Sequence, residues 1–309
     1  MLIFDAHCDT LSKISHPGEL IKNGFHWDLE RAGRYQAYVQ VLASFAGDNF
    51  RADPAAVMAA HLEKALAFEK AYPKRLKIIR TASDLKAAEA GGVFGILGAE
   101  GAELFKGSLN ELERWYQKGL RVVTLCWNYD NELCDSVAGK RTHHGLSAFG
   151  RKVVERMQEL GMVIDLSHAS DETFEDVLAC VDSPVTATHS NCRALCSHPR
   201  NLTDAQIRKI ARTGGVIGIN FYSCFLTESE KAGIKDIINH IEHMAGLVGT
   251  RHIGFGCDFD GASPMPEGIR GAESLHLVLE ALARANYTDQ DIRMIAGGNF
   301  MRLFAQVLK

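Results

Sequence analysis

A chain of 309 residues with 46% hydrophobic composition can bury a large core, enough for one α/β barrel or two ordinary domains. Its formal charge of −4 argues against the basic surface of a nucleic-acid binder. No run reaches the roughly 18 uninterrupted apolar residues of a membrane span, and no low-complexity segment or long like-charge run stands out. Asp5 comes too early for the apolar stretch of a signal peptide. The C-terminal end is too short and polar for a lipid-anchor tail. Eight cysteines are scattered without a CxxC pair, which predicts reduced thiols in a cytoplasmic protein.

The first element is an apolar run, 2–4, that leads into His7, Cys8 and Asp9. A polar, loop-rich stretch continues to about residue 33, and 38–45 reads as the second strand. Asp53 and Pro54 are a cap and first-turn signal for a helix reaching about residue 72. A short extra strand at 76–80 and a short helix at 83–89 follow.

From there the rhythm is regular. Strands are predicted at 93–98, 121–127, 162–166, 184–188, 215–221 and 252–257. Helices are predicted at 109–118, 146–160, 171–179, 204–213, 234–248, 272–285, 289–296 and 300–307, and a long loop at 128–145. Apolar strands alternating with amphipathic helices indicate a parallel sheet. With 76–80 set aside, eight principal strands remain, the number of a (β/α)8 TIM barrel formed as one domain over residues 1–309. An open doubly wound sheet is the alternative, but no GxGxxG turn follows the first strand.

Candidate chemistry recurs at one phase of this pattern. His7 and Asp9 end the first strand, and two residues apart on a strand they share a face. Glu100, His168, His189 and Asp258 each fall within a residue or two of a later strand's C-terminal end. A barrel gathers those ends on one rim, where imidazoles and carboxylates suit a divalent metal. Taken singly, each has a structural reading: a cap for His168, a loop histidine for His189, turn residues for Glu100, Asp258 and Asp260. His240 and His243, three apart on a helix, read as exposed or boundary residues. His143 and His144 lie in the long loop with nothing to fix them. Cys192 and Cys196 read as buried thiols.

The stretches 5–9, 98–101, 164–168, 189–195, 198–202 and 256–261 together resemble the membrane (renal) dipeptidase family of zinc peptidases, in order over nearly the whole chain. The resemblance implies a metal-dependent hydrolase barrel with two zinc ions that cleaves dipeptides, extending to L-Xaa-D-Xaa. Carried over by position, His7, Asp9 and Glu100 would hold one zinc, and Glu100, His168 and His189 the other. Glu100 would thus bridge, and Asp258 would shuttle the proton from nucleophile to leaving amine. Arg200 would grip the substrate's terminal carboxylate through its planar fork, with Tyr222 assisting.

One departure concerns substrate contacts. Trp127 stands where mammalian members carry a substrate-contacting histidine, and an indole offers only an N–H donor. Asn128 or Tyr129 is expected to compensate. Other divalent metals suit the same ligands. The family also suggests a homodimer. The runner-up activity is an amidohydrolase acting on a cyclic amide, lactone or lactam. A third reading is a catalytically silent metal-binding barrel, against which the intact Asp258 argues.

Overall fold

The computed structural model describes residues 1–48, 52–229 and 231–309. Its strands are β1 (Leu2–Cys8), β2 (Ala37–Ser44), β3 (Lys77–Ile78), β4 (Gly92–Glu100), β5 (Leu120–Thr124), β6 (Val163–Asp165), β7 (Thr186–Ala187), β8 (Val216–Ile219) and β9 (Ile253–Phe255). Every pairing between them is parallel. The ring runs β1-β2-β4-β5-β6-β7-β8-β9 and closes where Asp5 of β1 pairs with Phe255 of β9. β3 lies outside it. It pairs with β4 at Phe94 and Gly95, on the edge that β5 takes over from Leu97 onward. Eight parallel ring strands with helices between them make a (β/α)8 barrel.

β2 is buried along its whole length and β1 along all but its first residue, as strands covered on both faces must be. Phe4, Val39, Val41, Ile96, Val122, Val163 and Val216, from six ring strands, form one apolar cluster with Phe300 and Phe304. The Phe4 ring sits 5.2 Å from Phe300 and 4.9 Å from Phe304, so the last helix, Asn299–Val307, closes that end of the barrel. Glu100 lies further along the β4 face that carries Phe94 and Ile96, because residues two apart share a face.

Strict alternation along β1 would turn His7 away from the face of Phe4 and Ala6. The β1–β2 register slips between Asp5 and Cys8, and this bulge re-aims His7 to the interior beside Glu100.

Several elements differ from the sequence reading. The strands expected at 121–127 and 184–188 end at Thr124 and Ala187, so Trp127 and His189 stand on loops beyond them. The loop-rich stretch before residue 33 contains helical turns at Thr10–Lys13, Pro17–Leu20 and Leu29–Ala32, and another turn forms at Ser223–Leu226. The two closing helices are continuous through a π turn, Met294–Gly298, rather than separate. Gly297 and Gly298 read as a break, but here the missing side chain serves close packing. A Cβ at Gly297 would collide with Leu2 and lie 3.0 Å from the Phe4 nitrogen.

His240 also corrects the sequence reading. It is wholly buried, accepting at Nδ1 from the Cys192 amide (3.0 Å) and donating from Nε2 to the Leu226 carbonyl (2.9 Å). Loops not visible in the helical periodicity cover this face. His243 is half-buried and pairs with Asp204 at 2.8 Å. In the long loop, His143 Nε2 bonds to the Asn131 carbonyl at 2.8 Å.

Candidate metal centre

The strand ends bring His7, Asp9, Glu100, His168, His189 and Asp258 together. Glu100 stands at the centre. Its Oε2 is 3.5 Å from His7 Nε2, while its Oε1 is 2.9 Å from His168 Nε2 and 3.3 Å from His189 Nε2. Asp9 Oδ2 is 3.4 Å from His7 Nε2. Donor atoms of His7, Glu100 and His189 lie within 4.8 Å of one another, as do those of His7, Asp9 and Asp258. His168 joins through Glu100 and through His189, whose Nε2 is 3.1 Å from its own.

Buried hydrogen bonds set the tautomers of the two later histidines. Asp165 accepts from the hydroxyls of Thr124 (2.5 Å) and Thr188 (2.6 Å). Because the Thr188 proton is committed to Asp165, its oxygen accepts from His189 Nδ1 at 2.7 Å. His168 Nδ1 donates to Asn128 Oδ1 at 2.9 Å. Both rings therefore present an unprotonated Nε2 to Glu100. Metal-binding histidines are oriented by such partners on the other nitrogen.

The electrostatics agree. Burial, reinforced by Arg200, lowers the His168 pKa to about 4. Burial and the neighbouring His7 hold His189 well below its ordinary value. Burial opposes charge on His7, but the Glu100 and Asp9 carboxylates outweigh it and hold this imidazole high. Burial would lift Glu100, yet the charge on His7 counters it and keeps this carboxylate ionised. Asp9 is raised by burial, with Glu100 adding to the effect against His7. Burial raises Asp258 to about 8, His7 opposing and Asp9 and Glu100 reinforcing.

This donor set fits divalent cations. Two lone-pair nitrogens approach each other, buried Asp9 and Glu100 share the site with half-buried Asp258, and Asp9 Oδ1 has no hydrogen-bond partner among the described residues. A cluster with more carboxylates than cations is costly to bury, and metal coordination satisfies it.

A cavity of about 730 Å³ opens on the cluster. Arg200, Tyr222, Trp127 and Asn128 all line it, with Asp9, Glu100, His168 and Asp258. Arg200 is 7% exposed, so a surface salt bridge does not describe it. Its guanidinium lies 5.5 Å over the Phe225 ring, Nη2 donates to the His189 carbonyl at 3.4 Å, and Nε has no partner among the described residues. Tyr222 is half-buried, with its ring edge-on to Phe225 at 4.8 Å. A second cavity, about 930 Å³, lies beside Leu2, Leu85 and Met301, where none of the histidine and carboxylate clusters falls among the described residues.

Three features of the site carried no sequence signal. Asn220 Nδ2 donates to Asp258 Oδ2 at 2.9 Å. Asp165 and Thr188 fix His189 from below. Gly261 leaves room for two carboxylates, since a Cβ there would collide with Asp9 Oδ2 and Asp258 Oδ1. Asp258 and Asp260 do shape a turn, with φ of 58° and 71° in the left-handed region. Asp260 serves the scaffold, accepting from the His26 amide at 2.6 Å and from the Thr10 hydroxyl.

A His-carboxylate cluster at the C-terminal rim of a (β/α)8 barrel defines a candidate metal-binding barrel. Comparison with known proteins narrows the class. The family profile described as membrane dipeptidase, peptidase family M19, matches residues 1–309, and the chain belongs to that family. It is 36% identical over 215 residues, 69% of this chain and 53% of the relative, to an uncharacterized dipeptidase of Schizosaccharomyces pombe. It is 31% identical over 243 residues, 77% of this chain and 49% of the relative, to dipeptidase 3 of Rattus norvegicus. The chain thus spans about half the length of the curated relatives it matches. Among solved structures, a metallopeptidase of Rhodobacter sphaeroides bound to a phosphinate mimic of L-Ala-D-Ala superposes with a TM-score of 0.89. That match has 28% identity and covers 99% of each chain.

Proposed function

We propose that this chain is a binuclear zinc dipeptidase that hydrolyses the peptide bond of dipeptides, including L-Xaa-D-Xaa, with residues 1–309 as one catalytic domain. The observation that carries the reading is the position of Glu100, one oxygen facing His7 and the other facing His168 and His189. A carboxylate so placed can serve two ions. His7 and Asp9 would complete one ligand set, and His168 and His189 the other. Zinc bound there would supply Lewis-acid polarisation of the scissile carbonyl and a nucleophilic water of lowered pKa.

The chain's own residues do the rest. Asp258 faces the cavity on a turn beside the cluster, and the Asn220 amide holds one of its oxygens. In this reading it takes a proton from the nucleophile and returns it to the leaving amine. Arg200 offers an open guanidinium edge in the same cavity, a match for the free carboxylate of a dipeptide. With Tyr222 beside it, this clamp would set the scissile bond one residue from a free C-terminal carboxylate, as in a dipeptide. Asn128 acts on His168 as well as lining the cavity. The Rhodobacter protein's dipeptide-mimic ligand supports the same substrate class here.

No helix is long and apolar enough to cross a membrane among the described residues. All eight cysteines are free thiols, which supports a reducing, cytoplasmic location for a family-typical homodimer. The test is hydrolysis of an L-Xaa-D-Ala dipeptide by the zinc-loaded protein, beside the same peptide amidated at its C-terminus. Cleavage of the free acid alone is expected. Equal cleavage of both discards the Arg200 clamp. Cleavage of neither with two metals bound favours the cyclic-amide or lactone alternative.

A further inference from the structure

The cavity over the metal-ligand cluster has two unlike sides. In the ring, β2 stands opposite β7 and β5 opposite β9. Arg200, Tyr222 and Phe225 come from the loops after β7 and β8. The loops after β2 and β5 bring Phe45, Trp127, Tyr129, Val137 and Ala138 to the other side. Trp127 is held between two rings, 5.2 Å from Phe45 and 5.7 Å edge-on from Tyr129. The Tyr129 hydroxyl donates to Asp48, which ties the loop after β5 to the loop after β2. Among the described residues, these two loops bring no Asp, Glu, Lys or Arg side chain to the cavity lining.

Resting on the dipeptidase reading above, we infer that this aromatic wall is the subsite for the side chain of the substrate's N-terminal residue, and that it selects apolar, above all aromatic, residues there. The topology sets the direction. A carboxylate held at Arg200 puts the C-terminal residue on the β7–β8 side and the scissile carbonyl over the ligand cluster. A dipeptide spans about 7 Å, so its N-terminal residue continues towards β2 and β5. There a charged side chain would lose its hydration, and Phe45, Trp127, Tyr129, Val137 and Ala138, the wall's residues among those described, carry no charge to compensate. A flat apolar side chain gains contact with pre-ordered rings in offset or edge-on geometry.

The experiment compares kcat/KM of the zinc-loaded full chain for L-Phe-D-Ala, L-Leu-D-Ala, L-Ala-D-Ala, L-Glu-D-Ala and L-Lys-D-Ala. Binding of phosphinate mimics of the Phe and Ala peptides is measured by calorimetry. The Phe peptide is expected to exceed the Ala, Glu and Lys peptides by at least about tenfold, and its mimic to bind correspondingly tighter. Trp127→Ala is read only as the Phe-to-Ala ratio within one preparation, which is independent of the active fraction. That ratio should collapse to within about twofold of unity, and Trp127→Phe should restore most of it. Equal turnover of the Glu or Lys and Phe peptides, or a ratio unmoved by Trp127→Ala, overturns the inference while leaving the dipeptidase reading intact. Cleavage of no dipeptide by metal-loaded protein overturns both.

Discussion

The two ends of the barrel are built from the same strands on opposite principles. At the C-terminal rim, His7, Asp9, Glu100 and His189 are buried with charges and lone pairs crowded together, and His168 and Asp258 adopt left-handed backbone. At the other end, Phe4 clusters with Phe300, Phe304 and apolar residues of five other ring strands. Stability and chemistry reside at opposite ends of the same strands. Crowded buried charge costs free energy and is retained because it binds cations, whereas the apolar end gains free energy from burial alone. Changes at the rim should therefore act on metal and turnover, and changes at the closed end on folding.

The largest expected effect is at the rim. Asp258→Asn should lower kcat by roughly 10²–10⁴-fold, the contribution of a general acid–base, while two metals stay bound. Full turnover by this variant would remove Asp258 from the mechanism. The counterpart at the closed end is Phe300→Ala. Loss of a wholly buried ring should cost about 3–5 kcal/mol, seen as a lower denaturant midpoint. The fraction that stays folded should keep its kcat/KM and metal content. If this variant instead lost metal while staying stable, the separation of the two ends would fail.

Smaller effects sharpen the boundary between them. Asn128→Ala removes the acceptor at His168 Nδ1 and should weaken metal binding by about 10–100-fold, measured by competition with a chelating dye, with little change in unfolding of the metal-free chain. The smallest effect belongs to neither end. His61, in the helix Pro54–Ala71, faces the Ser44 hydroxyl at 3.2 Å, and burial with the nearby Lys64 charge lowers its pKa from 6.5 to about 4. The folded state therefore binds this proton less readily than the unfolded chain. The His61 contribution is fully present above pH 6.5 and is lost as pH falls towards 4. His61→Gln should flatten that part of the stability profile, as read from denaturant midpoints at neutral and mildly acidic pH.

Strand count, parallel order and the positions of His7, Asp9, Glu100, His168, His189 and Asp258 were legible because alternating apolar strands and helices place strand ends at regular intervals. The extra strand β3 was legible as an outsider for the same reason. What orients those residues was not legible. The β1 bulge that turns His7 inward depends on pairing with β2, a partner some 35 residues away in register. The Asp165–Thr188–His189 chain and the Asn220–Asp258 bond join residues from different strands and leave no local pattern. His240 looked like a surface residue because helical periodicity says nothing of the loop that carries Cys192 over it. Gly261 reads as a turn glycine, yet its function is the space it leaves for two carboxylates.

Glu100 is the proposed junction of the two ion sites. The decisive measurement is bound metal per chain, by elemental analysis after gel filtration, for the wild type, Asp9→Asn and Glu100→Gln. Two ions in the wild type, fewer in Asp9→Asn with the second site retained, and loss from both sites in Glu100→Gln is the predicted result. One ion in the wild type, or two ions undiminished in Glu100→Gln, would contradict it.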